Sequence, residues 1–248
     1  MKKNLRAEPS QAHFSRRAPK YDASASWVCD EKLISKMRAL ARPGRTSVVL
    51  DLAIGTGRIA AAFRGRAKAV IGLDACARMS AGRGAADCLV LARAEQMPFP
   101  DASFDICTCR QGLQFMDLER ALSEIRRVLK PGGRAVLCHL TSYGGADDGT
   151  AFLVQRLRNP ARKNFFSPGD LARAAGRYFS GVKTFEYITR ESVWNWISNG
   201  AITAAAKARI MRAYRDAPDA FKKTHKLSFV NGDVLDSMRM EIVTAVKK

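Results

Sequence analysis

Short apolar segments alternate along this chain with stretches in which apolar residues recur at helical spacing. A helical stretch follows the candidate N-cap Asp117, where Leu118, Leu122, Ile125 and Leu129 fall on one face. Strands that alternate with helices in this way indicate an α/β protein built on a mostly parallel sheet. The predicted strands lie at residues 48–51, 69–73, 88–91, 104–109, 134–140, 182–189 and 238–246.

The most informative stretch is residues 46–60, TSVVLDLAIGTGRIA. A strand that ends in a carboxylate is followed by Gly55 and Gly57, which lack a Cβ and let backbone approach a ligand. A helix then begins at Arg58, so its free N–H groups face the loop. The second strand ends in Asp74, where a carboxylate can accept hydrogen bonds from both hydroxyls of an adenosine ribose. These features predict a nucleotide-binding crevice, and the alternative is a plain turn with a surface carboxylate.

Four segments in order carry a family resemblance: VLDLAIGTG, VIGLDACARM, AEQMPFPDASFDIC and ALSEIRRVLKPGGRAVL. They resemble the signatures of class I S-adenosylmethionine-dependent methyltransferases over roughly residues 48–140. The similarity is greatest to the small-molecule branch, which contains the quinone-ring C-methyltransferases and the malonyl-thioester O-methyltransferase of biotin synthesis. The resemblance implies S-adenosylmethionine as the cofactor. It also implies an α/β, Rossmann-like sheet of seven mostly parallel strands with the last strand antiparallel, plus a helical cap.

Carried over by position, the resemblance implies a set of cofactor-binding residues. Asp51 would orient the methionine ammonium through water, and Asp74 would hold the ribose diol. The other implied contacts are Ala53, Gly55 and Gly57 at the methionine, Ala75, Met79, Ala94 and Glu95 at the adenine, and Arg110 and Gln111 at the sulfonium and the acceptor.

Two positions depart from the family pattern. Ala53 replaces the first loop glycine, and we expect the loop to tolerate it if the φ angle there is negative. Arg93 stands where an Asp usually bonds the adenine amino group. Either Glu95 or a backbone carbonyl then takes that bond, or the affinity for the cofactor is reduced. These departures keep open a non-catalytic S-adenosylmethionine-binding protein as an alternative.

The ends of the chain resemble the family only in outline. Residues 1–45 are predicted to form an N-terminal helical lid, with Asp22 or Ser24 as an N-cap; an ordinary helix against the sheet is the alternative. Residues 46–248 are predicted to form the methyltransferase domain, with cap insertions at about 142–166 and 191–235. Side chains from these segments and from the fourth strand tip would wall an acceptor pocket, although the cap aromatics could equally form the cap's own core. The candidate acceptor residues are Phe14, Tyr21, Trp27, Gln114, Trp194 and Trp196.

Three residues are candidate general bases: His139 at the end of the fifth strand, Tyr143 and His225. For His139 the alternative is a core histidine bonded to backbone. A sulfonium methyl carbon is already electrophilic, so holding the nucleophile in line and excluding water can suffice. A dedicated base is therefore optional, and the predicted reaction is methyl transfer to an O, N or C atom of a small, aromatic or apolar metabolite.

The net charge of +19 could indicate nucleic acid. The excess of Lys and Arg over Asp and Glu is 7 in residues 1–45, 4 in residues 46–140 and 8 in residues 141–248. Because this excess is spread and no block of five or six like charges occurs, RNA methylation is an alternative rather than the main prediction.

Cysteine usage and hydropathy bear on the compartment. The six cysteines form no CxxC or Cys/His ligand spacing, which predicts reduced thiols and no bound metal. No apolar run reaches the roughly 18 residues of a membrane span, and the basic N-terminus lacks the apolar stretch of a signal peptide. We expect a cytoplasmic protein, while its oligomeric state stays open.

Overall fold

A computed structural model describes residues 9–80, 84–198 and 200–248. Two helices, α1 (Pro9–Arg17) and α2 (Glu31–Ala41), precede the sheet. The alternating region then contains β1 (Val48–Leu52), α3 (Arg58–Ala61), β2 (Ala69–Asp74), α4 (Ala77–Ser80), β3 (Cys88–Leu91), β4 (Phe104–Arg110), α5 (Leu118–Val128) and β5 (Leu129–Thr141). The C-terminal part consists of α6 (Asp147–Arg158), α7 (Asp170–Gly176), β6 (Ser180–Ser192), α8 (Val193–Ile197), α9 (Ala204–Arg215), α10 (Asp219–Thr224), β7 (Ser228–Val230) and β8 (Asp233–Val246).

Within these residues the strands form one sheet in the order β3-β2-β1-β4-β5-β8-β6, with the short β7 paired on β8. The pairs of β1 with β2 and with β4 are parallel, and β8 runs antiparallel between β5 and β6. The predicted Rossmann-like fold with an antiparallel last strand is confirmed. The eighth strand, β7, was missed because only three residues of it pair. The strand order reverses at β1 and β4, so the carboxyl ends of β1, β2 and β4 meet at one edge.

Both faces of the sheet are covered, which explains the continuous apolar character of its strands. Along β1, Val49 packs in the hydrophobic cluster that includes α2 and the cap helices, while Leu50 packs in the cluster that includes α5. Successive strand residues point to opposite faces, so one short strand supplies both layers. Leu122 and Ile125 of α5 are fully buried there, as their spacing predicted.

The start of α2 differs from the prediction. The N-cap is Asp30, whose Oδ1 accepts hydrogen bonds from the backbone N–H groups of Lys32 (3.0 Å) and Leu33 (3.1 Å). Ser24 instead accepts a bond from buried Arg17, and Asp22 pairs with Arg58. Two 3-10 turns, Ala18–Lys20 and Ser26–Val28, separate α1 from α2, so helical spacing begins later than the apolar pattern suggested.

Three further observations concern the described residues only. None of their helices is long and apolar enough to cross a membrane. They contain no group of three or more His, Cys, Asp or Glu side chains able to hold a metal ion. All six cysteines lie among them and are free thiols.

Candidate active site

A cleft opens at the carboxyl ends of β1, β2 and β4, where the strand order reverses. The space between its walls is about 750 Å³ when the open mouth is included. Most of the predicted cofactor residues line this cleft: Ala53, Gly55, Asp74, Ala75, Met79, Ala94, Glu95, Arg110 and Gln111.

Asp74 is held at the wall of the cleft by two backbone N–H groups. Gly55 donates to Oδ2 at 2.9 Å and Cys76 donates to Oδ1 at 2.8 Å. Burial raises the pKa of this carboxyl, and the backbone hydrogen bonds partly offset the rise. Each oxygen carries two acceptor lone pairs, so each can still accept one bond from a ligand. A carboxylate arranged in this way fits the two hydroxyls of a ribose, as S-adenosylmethionine requires.

Asp51 and Gly57 do not line the cleft. Asp51 is buried, and its oxygens accept bonds from Thr108 Oγ1 (2.8 Å) and Ala60 N (3.0 Å). Burial is the largest influence on this carboxyl and raises its pKa to about 7. A Cβ on Gly57, whose φ is +78°, would lie 2.3 Å from the Cβ of Ala85. Packing therefore requires glycine at position 57, and the implied contact of Gly57 with the methionine has no counterpart in this geometry.

Ala53 adopts φ +54°, so the negative angle on which tolerance of alanine was made conditional is not present. The left-handed region costs a residue with a Cβ about 1–2 kcal/mol. Gln111, at φ +57°, also lines the cleft. Backbone strain of this kind concentrates at functional sites, where the surrounding structure enforces it.

Arg93 forms an ion pair with Glu95, with 3.1 Å between Arg93 Nη2 and Glu95 Oε1. The same Oε1 accepts a bond from the backbone N–H of Asp117 at 3.1 Å. Both interactions use one oxygen, which leaves Oε2 of this cleft residue to accept from a ligand. Glu95 thus has an oxygen available for the bond to the adenine amino group, and that role stays a prediction beside the alternative of a backbone carbonyl.

Helix α1 lies along the cleft rather than on the sheet. Gln11 Nε2 donates to the carbonyl of Ala75 (3.0 Å), and Ser15 Oγ contacts Cys76 Sγ at 3.3 Å. Phe14 of this helix and Tyr21 beyond it line the cleft wall. Helix α2, by contrast, packs against the sheet. Helix α2 matches the alternative of an ordinary helix against the sheet, whereas a lid role for α1 stays a prediction, and residues 1–8 of the predicted lid lie outside the described residues.

Arg110 joins the N-terminal segment to the tip of β4. Its Nη1 donates to the carbonyl of Trp27 (2.9 Å) and its Nη2 to the carbonyl of Val28 (3.0 Å). The guanidinium carbon also lies 5.4 Å from the centroid of the Trp27 ring. Arg110 is thus a cleft residue that also holds the backbone at Trp27 and Val28, and Trp27 lines the second cavity described below.

A second cavity, about 420 Å³ when the solvent space at its opening is included, adjoins the cleft and shares Phe14, Tyr21, Gln111 and Phe115 with it. The predicted acceptor residues Trp27, Gln114 and Trp196 line this cavity. The sequence analysis missed its polar lining, because nothing in the local pattern distinguishes these residues from surface positions. The polar residues missed are Arg17, Gln155, Arg158, Asn159 and Arg162.

Trp194 is the exception among the predicted acceptor residues. It is 53% exposed and lines neither the cleft nor the second cavity. Its backbone N–H donates to Asp233, and its ring lies 5.8 Å from Lys207 Nζ. The short helix α8 turns Trp196 inward, and Trp194, two residues earlier, therefore points outward.

His139 is buried below the second cavity rather than exposed in it. Its Nδ1 is 2.9 Å from Gln114 Oε1. Burial, assisted by the charge of Arg162, lowers the pKa of His139 to about 3. An imidazole with so low a pKa is a weak base, and this one does not reach the cleft.

Tyr143 and His225 are committed to structural hydrogen bonds. The Tyr143 hydroxyl donates to the carbonyl of Ser237 (2.7 Å), and burial raises its pKa to about 12. The ring nitrogens of His225 each lie 2.7 Å from a carboxylate, that of Asp147 or that of Asp236. Burial lowers the pKa of His225, but the two carboxylates outweigh it and raise the pKa to about 9. Neither residue lines the cleft, so the structure does not place them as general bases.

Comparisons with known proteins agree with this geometry. The family model described as "Methyltransferase domain" matches residues 50–137. A malonyl-[acyl-carrier protein] O-methyltransferase of Erwinia pyrifoliae is 34% identical over 182 residues, which is 71% of this chain and 68% of the relative. A ubiquinone/menaquinone biosynthesis C-methyltransferase of Brucella anthropi is 42% identical over 143 residues, covering 49% of this chain and 53% of the relative. The solved structure of the YcgJ protein from Bacillus subtilis superposes with a TM-score of 0.78 at 24% identity, covering 87% and 97% of the two chains, which shows a common fold.

Proposed function

The chain belongs to the S-adenosylmethionine-dependent methyltransferases, and on this premise we propose that it methylates a small metabolite bound in the second cavity. The proposal is carried by one observation: this cavity shares Gln111, at the tip of β4, with the cofactor cleft. Trp27 and Trp196 in its walls suit an aromatic or apolar acceptor with an O, N or C nucleophile.

The residues of this chain would act mainly by positioning. Asp74 would fix the ribose, and the backbone from Ala53 to Gly55 would border the methionine. Bound S-adenosylmethionine supplies an electrophilic methyl carbon. Phe14 and Tyr21, which lie in the walls of both spaces, would exclude water between donor and acceptor. Orientation and desolvation can lower such a barrier by about 7–11 kcal/mol.

No general base is part of the proposed mechanism. The three candidates, His139, Tyr143 and His225, are engaged elsewhere in the described structure and lie outside the cleft. The acceptor would therefore bind with its nucleophilic atom already deprotonated or would lose its proton to water. We also propose that the enzyme acts in the cytoplasm, which its free cysteines favour.

The test of this proposal is incubation with methyl-labelled S-adenosylmethionine and separate pools of cell metabolites and RNA. We expect label in the small-molecule pool. Label in RNA at low salt, lost as salt is raised, would instead favour the RNA methyltransferase alternative.

The Asp74→Asn variant tests the cofactor site directly. It keeps the side-chain shape but removes the charge and one acceptor, so we expect calorimetry to show S-adenosylmethionine affinity at least tenfold weaker. Asp219→Asn, at a fully exposed carboxylate of α10, is the matched control and should bind normally. Unchanged affinity of Asp74→Asn would refute the site. Normal cofactor binding with no labelled product in either pool would favour the non-catalytic alternative, which the strained Ala53 motivates.

A further inference from the structure

Three arginines line the second cavity: Arg17 from α1, Arg158 from α6 and Arg162 after it. Arg17 and Arg158 are only 2% and 9% exposed, and Arg162 is half-buried. A guanidinium stays protonated under ordinary conditions, so three positive charges border one largely enclosed space.

These charges have no counter-ion in the described part of the chain. None of the three arginines forms an ion pair with a described Asp or Glu. Glu191 is the carboxylate whose charge acts on Arg158, but it accepts bonds from Trp27 N and from the N–H and hydroxyl of Ser26. Those donors are neutral, so Glu191 offsets part of the charge of Arg158, and the three arginines together keep an excess of positive charge.

Each guanidinium also keeps a buried nitrogen without a hydrogen-bond partner. Arg17 donates to Ser24 Oγ (3.1 Å), Arg158 to the carbonyl of Trp196 (3.1 Å) and Arg162 to the carbonyl of Asn164 (2.9 Å). Within the described residues, Nε of Arg17 and Nη2 of both Arg158 and Arg162 remain unpartnered. Asn159 Nδ2, also on the cavity wall, is a fourth unpartnered donor.

Burial of unpaired charge is unfavourable, and the pKa values reflect it. Burial lowers the pKa of Arg158, and the charges of Arg17 and Arg162 lower it further. Burial likewise lowers the pKa of Arg162 to about 9. A bound anion would relieve both the desolvation and the mutual repulsion, because charge-assisted bonds to carboxylate or phosphate are the strongest that arginine makes.

We propose that the second cavity is an anion subsite, in which Arg17, Arg158 and Arg162 hold a carboxylate or phosphate group of the methyl acceptor. The inference rests on the proposed methyl transfer and narrows its substrate class. The aromatic walls contact the apolar part of that molecule, and the walls shared with the cleft set the distance from anion to methyl donor. The acceptor is thus an amphiphilic acid rather than a neutral ring compound.

The test is calorimetric titration of the whole protein, with and without S-adenosylhomocysteine, using succinate, inorganic phosphate and neutral succinamide as probes. We expect at least one anion to bind saturably and succinamide not to bind; which anion binds identifies carboxylate or phosphate as the natural group. Binding of neither anion to protein that binds S-adenosylhomocysteine would overturn the inference and leave the proposed function intact. Anion binding by protein that does not bind S-adenosylhomocysteine would overturn the proposed methyl transfer and leave the anion site intact.

Variants locate the site. Arg158→Gln and Arg162→Gln should each weaken binding of the anion at least tenfold, since each removes a charge and a fork of donors. Arg156→Gln, on the same helix but exposed and outside both cavities, is the matched control and should bind as the unaltered protein does. Equal affinity in all three variants would overturn the assignment. S-adenosylhomocysteine binding reports folding, and Arg158→Lys, which keeps charge without the fork, should give an intermediate affinity.

Discussion

His225 offers a quantitative test of how this fold is held together. The imidazole is 6% exposed and lies between Asp147 of α6 and Asp236 of β8, 2.7 Å from each carboxylate. Phe221 stacks on the ring with centroids 3.9 Å apart. Three separate elements, α6, α10 and β8, therefore meet at one protonated side chain, whose pKa is raised from 6.5 to about 9.

The magnitude and sign of the effect follow from this pKa. The folded state binds the proton more tightly than the unfolded chain, so protonation contributes stability below pH 6.5 that is lost as pH rises to about 9. The difference corresponds to about 3 kcal/mol. For a chain of this size, losing the proton of His225 as pH rises should lower the melting temperature by about 6–12 °C.

Urea unfolding of the unaltered protein and of His225→Gln, measured at intervals from pH 6.5 to 9.5, isolates this contribution. Other groups titrate similarly in both proteins, so the difference between the two free energies of unfolding reports His225 alone. We expect the difference to be largest at pH 6.5 and to fall by about 3 kcal/mol by pH 9.5. Parallel curves for the two proteins would refute a protonated His225 in the folded state.

Three shorter predictions concern the cleft. Ala53→Gly should raise the free energy of unfolding by about 0.5–1 kcal/mol in urea titration. The backbone strain that glycine removes from the folded state at φ +54° is larger than the stability lost through the greater conformational entropy of the unfolded chain. A destabilised variant would contradict this. Asp51 is buried and does not line the cleft, and the resemblance implies that it acts on the methionine ammonium through water. Burial raises its pKa to about 7, and only the ionised form attracts the ammonium, so S-adenosylmethionine affinity should fall by up to about tenfold from pH 8 to 6, as calorimetry can follow. Asp51→Asn should be weak and independent of pH over that range. Arg110→Gln removes the bonds to Trp27 and Val28, so amide exchange at residues 18–29 should accelerate, whereas Arg120→Gln, at an exposed site, should leave it unchanged.

Local sequence patterns were sufficient for the sheet and for the cofactor cleft. The apolar segments predicted the strands, and Gly55, in the loop after β1, lies next to Asp74, which ends β2. Such predictions succeed because strand period, glycine loops and strand-end carboxylates act over a few neighbouring residues, and the α/β topology then fixes where the strand ends lie. The same local reasoning gave the wrong N-cap for α2, because Ser24 and Asp22 are occupied by the distant side chains Arg17 and Arg58.

Tertiary packing alone decided the conformation of Ala53 and the role of the histidines. The surrounding structure imposes the left-handed φ of Ala53, because this region is unfavourable for a residue with a Cβ. His225 looked like a base in isolation, but it is separated in sequence by 78 residues from Asp147, which holds one of its nitrogens. A pKa depends on burial and on charges brought close by the fold, and neither can be read from adjacent residues.

The sequence by itself determined the class of fold, the donor cleft and the family of this protein, because these depend on short motifs repeated along the chain. Only the tertiary structure decided which side chains line the second cavity. Arg17 lies in α1 and Arg158 in α6, and strands β1 to β5 lie between these helices in the sequence. In its own segment each arginine resembles an ordinary surface residue, although both line the second cavity. They form the proposed anion site only because folding buries them around one cavity and none of them forms an ion pair with a described carboxylate.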